Sequence, residues 1–110
     1  MNDAQKPSQP ERKPEMREQK TMVRTYSAGV FYGVVKERNG KEVTLKDARR
    51  VWYWAGAASL SQLATEGTKK PGKCKFPCSV AEMTLTEVIE LIPMTDQAIT
   101  SLDAVPVWSE

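Results

Sequence analysis

The sequence predicts an α+β fold: a small, mainly antiparallel sheet with a meander over residues 22–54, two short helices and a disordered N-terminus. Three observations carry that expectation. Residues 22–54 are rich in β-branched and aromatic types around an Asn-Gly dipeptide. Two short stretches, Ser59–Gly67 and Thr95–Leu102, carry helix start signals. Residues 1–20 hold three prolines and nine charged residues but almost nothing apolar. The 110 residues leave room for one domain, placed at residues 22–110 behind a leader of residues 1–21.

The leader buries too little apolar surface to offset its ordering entropy, so disorder is expected there. It lacks the apolar stretch of a signal peptide, and no apolar run approaches the ~20 residues needed to span a bilayer. With only Cys74 and Cys78, a reduced intracellular compartment is the expected home, without membrane attachment.

From Thr21 the residues Met22, Val23, Tyr26, Val30, Phe31, Tyr32, Val34 and Val35 suit a pleated, half-buried surface. Gly29 and Gly33 punctuate the run and predict a bend or bulge. Asn39-Gly40 lies between Val34-Val35 and Val43-Thr44-Leu45, where a type I′ hairpin turn is expected. Lys46-Asp47 reads as a second turn, with a further strand over Arg49–Trp54.

Ser59 is placed to cap a helix, Gln62 stands three residues on, and Gly67 supplies the stop. Thr68–Pro77, with two prolines, Gly72 and four lysines, reads as a loop. Glu82–Met94 is dense in Thr, Val, Ile and Leu and reads as one long strand closed by Pro93, with a helix as the alternative. Thr95 caps a last helix over Asp96–Leu102, and Val105, Val107 and Trp108 are expected to return as an edge strand.

The net charge of +2 is a cancellation. Residues 1–20 carry +1, residues 21–80 hold 11 basic against 4 acidic residues (+7), and residues 81–110 hold 6 acidic residues and no basic one (−6). Either the two regions pack together, or they meet across a subunit boundary, or the basic one takes an anion. The near-zero total disfavours a nonspecific nucleic-acid binder.

Arg49-Arg50-Val51-Trp52-Tyr53-Trp54 is the stretch richest in chemistry. Alternation along a strand puts Arg50, Trp52 and Trp54 on one face, with Arg49, Val51 and Tyr53 on the other. Two indoles beside a guanidinium can stack a base and hold a phosphate, or can pack in a core or a subunit contact. Lys69, Lys70 and Lys73 add a basic loop able to close on an anion. The candidate ligand set is therefore Arg49, Arg50, Trp52, Trp54, Lys69, Lys70 and Lys73.

Catalytic chemistry finds little purchase. The chain has no histidine, which excludes Ser-His and Cys-His nucleophiles and histidine metal sites. Cys74 and Cys78 are two ligands short of a structural zinc site. No phosphate-cradling glycine loop is present, and Glu87 and Glu90 fall on opposite faces of a strand. A binding protein is expected, with no catalytic residue, metal or cofactor. So small a core also benefits from assembly into a homo-oligomer.

The segments Val23–Val30, Gly40–Val43, Ala48–Trp54, Gly56–Ala64 and Gly67–Pro71, with Cys74–Pro77, resemble a family of small bacteriophage and prophage proteins, over about residues 22–108. No activity, ligand or site residue comes with that resemblance. It implies a phage setting and the host bacterial cytoplasm. Many small phage accessory proteins act by binding, which makes antagonism of a host defence system the leading expectation. The bound species would be a nucleotide-type signal or a host protein. A homo-oligomeric structural or assembly protein of a phage is the alternative, and a nucleic-acid-binding protein the second.

Overall fold

The computed structural model describes residues 19–110. Most of the expected leader lies outside the described residues. Its last part does not behave as a leader: Gln19 Nε2 donates to the carbonyl of Met94, the carbonyl of Lys20 accepts from Met94 N, and Thr21 already opens the first strand.

The expected meander is formed by β1 (Thr21–Thr25), β2 (Val30–Asn39) and β3 (Glu42–Val51), all antiparallel. The β2–β3 hairpin closes one residue later than the Asn-Gly rule places it. Its central residues are Gly40 and Lys41, and positive φ falls on Gly40 alone (64°), the pattern of a type II′ turn. Lys46-Asp47 is not a turn. Asp47 sits inside β3 at φ 51°, a left-handed conformation that a short polar side chain tolerates, and the register slips there. Tyr32 pairs with Arg49 but Val34 with Lys46, so Asp47 and Ala48 together oppose Gly33. A β-carbon on Gly33 would stand 3.0 Å from Lys46 O and 3.1 Å from Asp47 O, so glycine is what lets the bulge press in. A second slip between Val35 and Glu37 bends the hairpin again.

Those bends roll the sheet. Glu82–Met94 is not one strand: it breaks at Thr86-Glu87 into β4 (Val80–Leu85) and β5 (Val88–Pro93). The strand order is β4-β3-β2-β1-β5, so two strands separated by two residues occupy opposite edges. Only a curled sheet allows this. The hairpin tip folds back until Lys41 O accepts from Val88 N, and Glu87 O accepts from Tyr26 N. Val23, Phe31, Val43, Leu45, Ala48, Leu85 and Val88 fill the concave side.

The convex side carries a second core. Met22, Tyr32 and Val51 pack beneath α1 (Leu60–Glu66) and α2 (Asp96–Asp103), whose Leu63, Ala64, Ala98, Ile99 and Leu102 are buried. The predicted caps form: Ser59 Oγ accepts from Gln62 N, and Thr95 Oγ1 accepts from Ala98 N. The tail returns as expected but makes only a single parallel bridge, Phe76 to Val107, with Val105 buried. Among the described residues no helix is long and apolar enough to cross a membrane.

Candidate functional site

The structure divides the expected ligand set. β3 ends at Val51, so strict alternation stops there and the residues beyond it re-aim. Arg49 faces the convex core at 7% exposure. Its Nε donates to Pro77 O, Nη1 to Leu102 O, and Nη2 to Phe76 O and Val105 O, at 2.8–3.2 Å. The cation also lies 5.3 Å from the Phe76 ring centroid. Arg49 is thus a clamp, joining β3, the 76–77 segment and the carbonyl end of α2, where a cation meets the negative pole of the helix. Arg50 lies on the other face, over the Phe31 ring at 4.4 Å, and donates to Ala28 O. Trp54 leaves the face expected for it and packs against the convex core. Neither arginine stands beside both tryptophans.

Trp52 stays outside, and its partners are ones the sequence did not single out. Trp52 N and Tyr53 N both donate to Lys75 O, and Lys75 N returns a bond to Tyr53 O at 2.8 Å. Trp108 N donates to Phe76 O. Three short segments therefore lie side by side. The indoles of Trp52 and Trp108 are nearly parallel (7°), their centroids 6.5 Å apart. Lys75 Nζ lies 5.6 Å from the Trp108 ring centroid. Exposure is 63% at Trp52, 53% at Tyr53 and 38% at Trp108, which leaves these rings open to solvent, while Val107, 60% exposed, lines the neighbouring cleft.

The basic loop runs antiparallel along this face. Lys69 N donates to Gly56 O, and Thr68 Oγ1 bonds Ala55 O at 2.6 Å while accepting from Lys70 N. Gly56 is required here: at φ 84° a β-carbon would stand 2.6 Å from Lys70 N. A short 3₁₀ turn over Pro71–Lys73 and the buried Cys74 thiol, 3.6 Å from Ala55 O, Thr68 Oγ1 and Lys70 O, hold the loop in shape. Lys69, Lys70 and Lys73 are exposed, and with Lys75 they make no ion pair among the described residues. Lys75 and Trp108 were legible only as members of a basic loop and an apolar tail. Their meeting is a tertiary fact.

Beside Val107 opens a cleft of about 280 Å³ lined by Lys20, Tyr32, Asp47, Arg49 and Asp103 among others. Lys20 Nζ lies 3.1 Å from Asp47 and 3.3 Å from Asp103, and the Tyr32 hydroxyl donates to Asp103 Oδ1 at 2.8 Å. Burial, and then the negative charge of Asp103, push the Tyr32 phenol well above its ordinary range. Lys20 is answered by Asp47 and Asp103, and Arg49 by its four backbone carbonyls. The group works as a brace between Lys20, the β3 bulge and the end of α2. Both cysteines are free thiols, and no cluster of three metal-ligating side chains occurs among the described residues.

A family model, the domain of unknown function DUF6948, matches residues 18–102, most of the chain. The chain belongs to this family. The match takes in β1 to α2, and so the clamp Arg49, the platform Trp52 and the whole lysine loop of the DUF6948 domain; Trp108 lies beyond it. No curated protein and no solved structure matches the chain.

Proposed function

We propose that this protein acts by binding, and that its working surface is the Trp52–Tyr53–Trp108 face bordered by Lys69, Lys70, Lys73 and Lys75. The observation that carries the reading is an exposed indole pair on a lysine-rich segment whose four lysines make no ion pair among the described residues. A planar ring stacks on an indole, and a phosphate meets an ammonium, so a nucleotide-type ligand satisfies both halves of the surface. The resemblance to phage and prophage proteins adds a setting: an accessory protein in the host bacterial cytoplasm that withholds a nucleotide-type signal from a host defence system.

Titrating the protein with mononucleotides, cyclic dinucleotides and short oligonucleotides at low salt tests this through tryptophan fluorescence. Quenching that disappears in Trp52→Ala is the expected result. A flat response to every compound in the panel removes the reading.

One observation favours a second reading. Trp52, Tyr53 and Trp108 are large apolar side chains left exposed next to one another, the kind of surface on which another copy of the chain would pack in a phage structural or assembly protein. Light scattering on wild type and Trp52→Ala separates the two, since only this second reading expects a dimer that the substitution dissolves.

A further inference from the structure

We infer that the ligand of this face is a single strand of nucleic acid, several nucleotides long, and not a free nucleotide. The inference rests on the nucleotide-type reading above and narrows it. A free nucleotide has one base and one cluster of phosphates, so tight capture requires a concave site that buries most of it. The Trp52 face has no such enclosure: Trp52, Tyr53 and Val107 are each more than half exposed. The cleft beyond Val107 is occupied by its own ion pairs, with Lys20 held between Asp47 and Asp103. An open platform offers one stacking contact and one or two phosphate contacts per nucleotide. It gains affinity only when a chain supplies these contacts repeatedly.

The layout suits a chain. Lys75 pairs with Tyr53 and Lys69 with Gly56 through their backbones, so the lysine segment runs alongside the aromatic segment. Lys75 stands between the Trp52 and Trp108 segments and the rest of the lysine segment continues past Gly56, so rings and cations succeed one another along the surface as the bases and phosphates of a strand do. A duplex hides its base faces and leaves the indoles without a partner.

The small net charge of +2 does not oppose this. Three of the six acidic residues of the C-terminal third are held in intramolecular pairs, Arg24–Glu90 at 2.8 Å, Lys36–Glu82 at 2.8 Å and Lys20–Asp103. The loop lysines have no ion-pair partner among the described residues, and Lys75 brings its ammonium to 5.6 Å from the Trp108 ring centroid.

The test is fluorescence anisotropy with labelled oligodeoxythymidylates of 2, 4, 8 and 12 nucleotides. Unlabelled ATP, a cyclic dinucleotide and a 12-base-pair duplex serve as competitors. Affinity is expected to rise steeply up to about 8 nucleotides and then level off, within the site sizes of open stacking surfaces. With four lysines engaged, the logarithm of the binding constant should fall against the logarithm of salt concentration with a slope of about −3. Trp52→Ala should weaken the 12-mer about 5- to 150-fold with an unchanged melting temperature, Trp52→Phe should restore most of the loss, and Lys75→Gln should make the slope shallower by about 0.7. A cyclic dinucleotide or ATP that binds as tightly as the 12-mer overturns the inference and leaves the nucleotide reading standing. Equal binding of duplex and single strand also overturns it. No binding by any of them removes both.

Discussion

At the scale of single residues, the most consequential side chain is one that reading the sequence assigned to a ligand. Arg49 satisfies four backbone carbonyls from two stretches of chain, 76–77 and 102–105. A guanidinium presents donors in a fixed planar fork, and lysine, with a single ammonium, cannot reach the same set. Hydrogen bonds to charged groups contribute about 1.5–3 kcal/mol each, and a buried carbonyl left unpaired costs further. Arg49→Lys should therefore lower stability by about 2–4 kcal/mol, read as a reduced urea midpoint, while leaving any binding at Trp52 intact in the folded fraction. An unchanged midpoint would remove the clamp.

Tyr32 gives a second test at this scale. Its phenol is raised in the folded protein by burial and by Asp103, whereas the unfolded chain ionises near the ordinary 10.0. Below pH 10 both states are protonated and the full contribution is present. Above it the unfolded state sheds its proton first, so stability falls as pH climbs towards the folded value. Unfolding midpoints measured from pH 9 to 11.5 should drop, and Tyr32→Phe should flatten that drop. Neither residue's role was legible beforehand, because alternation says which face a side chain takes and not what waits there.

At the scale of elements, local chemistry was readable wherever it is self-contained. The Ser59 and Thr95 caps and the β2–β3 hairpin are set by residues within a few positions of one another. Where the structure departs from the sequence reading, the cause lies across the sheet. Lys46-Asp47 carries turn residues, yet pairing with β2 on one side and β4 on the other keeps the strand going and turns the excess residue into a bulge. Thr86-Glu87 carries no Gly or Pro to announce the break between β4 and β5; the break is imposed by Lys41 and Tyr26, which hold both sides of the corner. Gly33 is the hinge of this arrangement. Gly33→Ala should force the Lys46–Ala48 backbone to retreat by a few tenths of an ångström, at about 1–3 kcal/mol, the usual cost of overpacking. Chemical denaturation measures it directly, and an alanine variant as stable as wild type would show that the bulge is not pressed.

At the scale of the whole molecule, the split in charge along the sequence folds onto itself. Basic β1 and β2 meet acidic β5 and β4 through Arg24–Glu90 and Lys36–Glu82. These pairs are exposed and each contributes little to stability, so what they do is choose where free charge remains. Stability comes instead from the two cores, and the convex one is completed late in the chain. Val105 is buried in it, Val105 O accepts from Arg49, and Val107 and Trp108 bind the Phe76 strand edge. Removing residues 104–110 should therefore leave a folded domain, since every strand and both helices precede the cut. It should still lose the ~1.5–3 kcal/mol that accompanies full burial of one aliphatic side chain, together with one charge-assisted hydrogen bond. The same cut strips Trp108 from Trp52. A truncated chain should thus show both a lower denaturation midpoint and a weaker stacking surface. A midpoint equal to that of the full chain would mean the tail rests on the core without completing it.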